Sequence, residues 1–213
     1  GTLTDADSVL STIWTDGSTE YLYNNFEMEG CTFSGWNTAP DGSGTAYAVN
    51  TPIKVTEDMP KRLVLYAQWI KEYLTIGGVS YSPKESHQGY DAAGSLLWDF
   101  QSDSAGGRAQ LKLYGDPGAV EYYGVLNVNF DYWSGSQLTL NGGIRAGGEL
   151  RLSYYNTNAG LSVIGEPGKP ALAGTAVTVD GRGAITLTGG SGAAGAAAKE
   201  MTLQNIRITI SGT

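Results

Sequence analysis

The apolar positions between Leu111 and Ile210 fall into short alternating triplets that repeat down the chain. One series reads Leu111-Lys112-Leu113, Leu138-Thr139-Leu140, Leu161-Ser162-Val163, Ile185-Thr186-Leu187 and Ile208-Thr209-Ile210, at intervals of 27, 23, 24 and 23 residues. A second lies between them as Leu126-Asn127-Val128, Leu150-Arg151-Leu152, Val177-Thr178-Val179 and Met201-Thr202-Leu203, at intervals of 24, 27 and 24. Successive side chains of a strand point to opposite faces. The outer residues of each triplet therefore share a dry face, and the middle residues, all polar, share a wet one. Two interleaved series keeping one period predict a solenoid, in which each turn of chain stacks on the one before.

Gly-rich segments lie between the triplets: Asn141-Gly142-Gly143, Gly147-Gly148, Asp180-Gly181-Arg182-Gly183 and Gly189-Gly190-Ser191-Gly192. They are expected to be corners, with Asp180–Gly183 a turn first and a ligand-binding corner second. A third strand per turn is expected around Ile144, Leu172 and Ala197. Short strands at this period fit a parallel β-helix of right-handed sense, with another all-β arrangement as the alternative. The Asn/Cys signature of leucine-rich repeats is missing.

A first turn would expose its apolar interior and strand edges, so a cap is expected before it, over residues 71–110. Leu96-Leu97-Trp98-Asp99-Phe100 and Ala109-Gln110-Leu111-Lys112-Leu113 read as a hairpin or as the cap itself, and residues 80–94, with Pro83 and the only histidine, read as a loop. Further back the pattern changes to short strands and turns. Ile13-Trp14-Thr15, Tyr21-Leu22-Tyr23, Cys31-Thr32-Phe33, Ile53-Lys54-Val55 and Leu63–Trp69 are candidate strands, and the alternation of Leu63, Leu65, Ala67 and Trp69 predicts a half-buried last one. Lys71-Glu72 is a short polar joint, so two abutting domains are expected.

Composition agrees with an all-β chain, since glycine supplies 31 of 213 residues, about twice the usual 7%. The formal charge is −8. Residues 1–70 carry nine acids and three bases, whereas 138–213 carry four acids and six bases. An acidic chain without a basic run does not suit nucleic acid, and no apolar run is long enough for a membrane span. The opening Gly1-Thr2-Leu3-Thr4 lacks the features of a signal peptide. The chain ends at Gly212-Thr213 in mid-turn by the period above, as a segment of a larger protein would. Cys31 has no second cysteine to pair with and reads as a small core residue or a free thiol.

Phe33-Ser34-Gly35-Trp36-Asn37-Thr38, Asp41-Gly42-Ser43-Gly44-Thr45-Ala46-Tyr47 and Leu65-Tyr66-Ala67-Gln68-Trp69, in that order and spacing, resemble the Listeria–Bacteroides repeat, also called the internalin B-repeat, over residues 10–70. The chain departs from that pattern at Cys31 and at Asn50-Thr51. The resemblance implies a small β-grasp-like module, set in tandem on bacterial surface proteins as a spacer or interaction unit and without catalysis. Trp36 and Trp69, with Phe33 and Tyr47, then form its core, and a carbohydrate platform is their alternative role. Ile76-Gly77-Gly78-Val79, Trp98-Asp99 and Leu111-Lys112-Leu113 resemble the opening of surface β-helix domains predicted in gut bacteria, some labelled carbohydrate-binding. The expected architecture is thus an all-β pair, a β-grasp-like module over residues 1–70 and a capped β-helix over 71–213.

Candidate chemistry is sparse. Glu149 and Glu200 stand in equivalent positions two turns apart, about 10 Å, at the edge of what an inverting glycosidase pair would need. His87 is expected to be a solvated loop residue, and Asp5-Ala6-Asp7-Ser8 fails as a calcium loop because its sixth position is Leu10. No cofactor and no metal is expected. Three aromatic pairs are better candidates for binding: Tyr122-Tyr123, Tyr132-Trp133 and Tyr154-Tyr155, each with one ring facing out. The functions weighed are a non-catalytic spacer or adhesion module of a bacterial surface protein, a carbohydrate-binding module, and a polysaccharide lyase or hydrolase. The partner would be a host or bacterial surface protein or a glycan, the setting extracellular, and the chain a monomer.

Overall fold

A computed structural model of the chain describes residues 9–12, 17, 19–24, 26–50, 52–59, 63–103, 108–130 and 137–212. It divides into two units, Gly1–Glu72 and Tyr73–Thr213, and every regular element described is a strand. Ile13-Trp14-Thr15 and Asp5–Ser8 lie outside the described residues.

The first unit contains β1 (Val9–Thr12), β2 (Thr19–Tyr21), β3 (Cys31–Asn37), β4 (Ala46–Tyr47), β5 (Pro52–Lys54) and β6 (Leu63–Lys71). An antiparallel sheet runs in the order β1-β6-β3-β4, and β2 pairs with β5. In β6, Leu63 and Leu65 are buried while Ala67 and Trp69 are half-buried, as their alternation predicts. The register of β3 against β6 slips between Phe33 and Gly35, where Gly35 takes φ 143°. A bulge adds one residue to its strand, so Phe33 and Trp36 both reach the core although three positions apart. Their ring centroids lie 5.2 Å from one another, and Phe33 meets Trp69 at 5.3 Å. Buried Asn37 donates to the carbonyls of Gly42 and Gly44 and accepts from Ala39 N–H, which fixes the loop between β3 and β4.

The second unit opens with antiparallel strands: β7 (Leu74–Ile76), β8 (Val79–Tyr81), β9 (His87–Tyr90), β10 (Leu96–Asp103) and β11 (Arg108–Leu113). β7 pairs with β8, and β9, β10 and β11 form a meander. The expected loop over residues 80–94 is therefore wrong in part, because β9 lies inside it. Alternation of half-buried His87 and Gly89 with exposed Gln88 and Tyr90 shows why. Glycine and histidine hide a period-2 pattern that apolar residues would announce.

The solenoid follows as β12 (Val120–Tyr122), β13 (Val125–Asn129), β14 (Gln137–Gly142), β15 (Ile144–Ala146), β16 (Leu150–Gly165), β17 (Leu172–Ala173), β18 (Ala176–Thr188), β19 (Ala196–Ala197), β20 (Glu200–Gln204) and β21 (Arg207–Ser211). All pairings among these strands are parallel, and they stack in three columns. Val120, Ile144, Leu172 and Ala196 form the first. Leu126, Leu150, Val177 and Met201 form the second. Leu138, Leu161, Ile185 and Ile208 form the third. The columns thus make about three turns of β-solenoid over residues 120–211.

Three details of the sequence reading change. Leu111-Lys112-Leu113 is not the first member of the Leu138 column, since β11 closes the cap hairpin and stacks on β13, Leu111 against Val128. The third strand is aligned through Ala196 rather than Ala197. Asp180–Gly183 is no corner: it continues β18 along β16, with Tyr154 opposite Gly181 and Tyr155 opposite Arg182. The interior is dry, with Leu126, Leu150, Leu161, Ile185 and Leu187 at 0–1% exposure. Exposure rises to 43% at Leu203 and 47% at Ile210 on the final described turn.

Candidate functional site

The predicted aromatic pairs divide between core and surface. Tyr122 on β12 and Tyr154 on β16 are buried, at 1% and 0% exposure. Each sits on the inward face of its strand, Tyr122 against Phe100 and Tyr154 edge-on to Phe130. A sugar cannot stack on either ring, and both leave the candidate set. Tyr123 is half-buried between Tyr122 and Tyr73, at centroid distances of 4.8 and 6.4 Å. Tyr155 points out, 54% exposed, and its hydroxyl donates to Asp180 one turn on. Tyr132 and Trp133 lie outside the described residues.

Of the two acidic candidates, Glu149 is engaged in an ion pair. Glu149 accepts two hydrogen bonds from Arg151, at 2.8 and 2.7 Å, and these bonds hold its carboxyl below the ordinary glutamate range. A general acid of a glycosidase needs the opposite shift. On the sheet built from β12 and β15, Arg145 bonds Glu121 at 2.9 Å and Glu166 at 2.8 Å, and Lys169 reaches both glutamates. His87 is not a solvated loop residue. Its ring lies 5.1 Å from Tyr81 and 6.5 Å from Phe100, and Nε2 is 2.9 Å from the carbonyl of Ser82.

A polar groove crosses the outer face of the cap, and sequence reasoning missed it. The strands β9, β10, β11 and β13 lie side by side. Period-2 alternation turns Trp98, Phe100, Ala109, Leu111, Leu126 and Val128 into the core. The same alternation turns their polar neighbours out. Gln88 stands opposite Asp99, while Gln101, Gln110 and Asn127 form a row across three strands. Two adjoining cavities of about 480 and 310 Å³ run along these side chains and share Gln101 and Ser102. Ser102 donates to the carbonyl of Pro83 at 2.8 Å, and with the His87–Ser82 contact it ties the loop between β8 and β9 to the groove wall. At one end Tyr90, 57% exposed, donates its hydroxyl to Gln88 at 2.8 Å. The available signal was the alternation in Gln101, Gln110 and Asn127, which reads as an ordinary wet face until the cap strands are placed side by side.

No curated protein and no solved structure matches this chain. Residues 4–68, which include Trp36 and Phe33 packed behind the bulge at Gly35, match the family model of the Listeria-Bacteroides repeat domain.

Proposed function

We propose that the chain is a non-catalytic module pair of a bacterial surface protein, acting as a spacer and adhesion unit outside the cell. The observation that carries this reading is the match of residues 4–68 to a repeat family of bacterial surface proteins. The second unit suits the same role. A solenoid stacks equal turns on a continuous core, so it holds a binding face rigidly at low cost in ordering. Four charges, Glu121, Arg145, Glu166 and Lys169, clamp successive turns together.

Antibodies raised against the chain should label intact cells of the parent bacterium, and surface proteolysis should remove the signal. Labelling only after lysis would sink the surface assignment. Incubation of the chain with uronate polymers and neutral polysaccharides should release neither unsaturated products nor reducing ends, and release of either would restore the lyase or hydrolase reading. A carbohydrate-binding role is the second reading, favoured by the groove on the cap.

A further inference from the structure

We infer that the polar groove on the solenoid cap, from Tyr90 and Gln88 across Asp99 and Gln101 to Gln110 and Asn127, is a carbohydrate-binding site for a short glycan chain. This names the ligand of the adhesion unit, and it rests on the surface reading only for access to glycans outside the cell.

The first argument is chemical. Carboxamides and a carboxylate present donors and acceptors in fixed pairs, which suits the adjacent hydroxyls of a sugar ring. Gln101, Gln110 and Asn127 are register partners on neighbouring strands, so their side chains repeat at about 4.8 Å. Along β9, β10, β11 and β13 the groove extends about 14 Å. That is longer than a single sugar and suits a chain of them. The lining offers no apolar seat for the anchor side chain of a peptide. Arg108 lines one cavity and Lys112 stands opposite Asp99, so the local charge is mixed, and with a net charge of −8 over the chain a polyphosphate is disfavoured.

The second argument is the ring. Tyr90 shows 57% of its surface, and the bond from its hydroxyl to Gln88 holds it at the Gln88–Asp99 end of the groove. An amphipathic ring set against planar hydrogen-bonding groups can stack on the apolar face of a pyranose while those groups take its hydroxyls. The third argument is preorganisation. Every one of these residues sits on a strand, and Gln101 Nε2 lies 3.4 Å from Asp99 Oδ2 within the groove. Few rotamers remain to be fixed on binding.

The test uses the full 213-residue chain on an array of mammalian, plant and bacterial wall glycans, followed by affinity electrophoresis in gels containing the best-retained polysaccharide. The wild type should be retarded. Tyr90→Ala should weaken retardation about ten-fold, the loss of one good stacking contact, and Gln101→Ala combined with Gln110→Ala should abolish it. Tyr90→Phe, which keeps the ring and drops only its bond to Gln88, should fall between wild type and Tyr90→Ala. Thr186→Asp, in the third column, should bind as wild type. Melting curves identify any variant that has lost its fold, and Tyr90→Phe then serves in place of Tyr90→Ala. A wild type that no glycan retards, or groove variants retarded as strongly as wild type, would overturn the proposal. Surface labelling of intact cells is independent of both results, so a failed groove and a failed surface assignment give different outcomes.

Discussion

Glu121 and Arg145 are register partners on adjacent turns of the solenoid, and the guanidinium Nε of one donates to Oε1 of the other at 2.9 Å. The same guanidinium reaches Glu166 and the carbonyl of Gly142, and its side chain is only 13% exposed. Half-buried and bonded on three sides, it ties together groups from successive turns. Arg145→Met should cost about 1–3 kcal/mol in denaturant unfolding of the second unit, because it removes one of the two donors to a partly buried glutamate and the side-chain donor to the Gly142 carbonyl. Glu166→Gln, at the exposed side of the cluster, should cost under about 1 kcal/mol.

The same cluster sets a pH dependence. Burial raises the carboxyl pKa of Glu121, but hydrogen bonds from Lys169 and Arg145 outweigh it and leave the group below the ordinary 4.5. Glu166 is likewise held below 4.5, chiefly by its bond from Lys169. A carboxylate depressed in the folded state contributes stability above its unfolded pKa, and that stability is lost as pH falls through the folded value. The melting temperature of the solenoid should therefore be level above about pH 6 and fall below the ordinary carboxylate value. Arg145→Met should flatten that fall, and an unchanged acid limb in this variant would show the cluster to be energetically silent.

Leu187 and Thr186 test the stacking itself. Leu187 is fully buried, paired in register between Val163 and Ile210, while Thr186 beside it faces solvent. Leu187→Asp would bury a carboxylate without a partner and should cost about 4 kcal/mol or more. Thr186→Asp should stay within about 0.5 kcal/mol. Equal shifts of the solenoid transition in the two variants would contradict the in-and-out assignment.

The third column was legible because Leu138, Leu161, Ile185 and Ile208 are apolar, regularly spaced and separated by polar residues, so period 2 and the period of the turn reinforce each other. The cap was legible only as a hairpin. Its antiparallel strands share no period with the turns, and Leu111 fell into the wrong series because a three-residue motif does not reveal its neighbour. The core positions of Tyr122 and Tyr154 were missed for a related reason. A tyrosine can face either way, and only Phe100 and Phe130, distant in sequence, make an interior for these two. Similarly, Asp180–Gly183 has turn composition yet lies within β18, because Asp180 to Arg182 keep pairing with Ser153 to Tyr155 of β16.

The same stretch gives a further prediction. At Gly181 the backbone takes φ 154°, and a Cβ placed there would run into the carbonyl of Tyr154. Neither the dihedral nor the spacing admits a methyl group, so Gly181→Ala must part β18 from β16. A cost of about 2–4 kcal/mol is expected. Faster amide hydrogen exchange along Val179–Arg182 should accompany it. Protection equal to wild type would show that the strands are not in contact there.

The last prediction concerns the first unit, where Trp36 is the largest of the fully buried side chains in a small core. Trp36 is 1% exposed and meets Phe26 and Phe33 edge-on, at centroid distances of 5.8 and 5.2 Å. Its indole N–H is buried without a hydrogen-bond partner among the described residues. The ring is therefore held by packing, and its polar atom opposes burial. Trp36→Ala should cost about 3–5 kcal/mol and lower the melting transition of residues 1–72 while that of the solenoid stays in place. Trp36→Phe removes the unsatisfied N–H together with part of the ring volume. Those effects oppose each other, so it should cost less than about 2 kcal/mol. Tryptophan fluorescence and calorimetry on the two variants separate the outcomes. An unchanged first transition in Trp36→Ala would place the ring at the surface and return it to the carbohydrate-platform role weighed for it from the sequence.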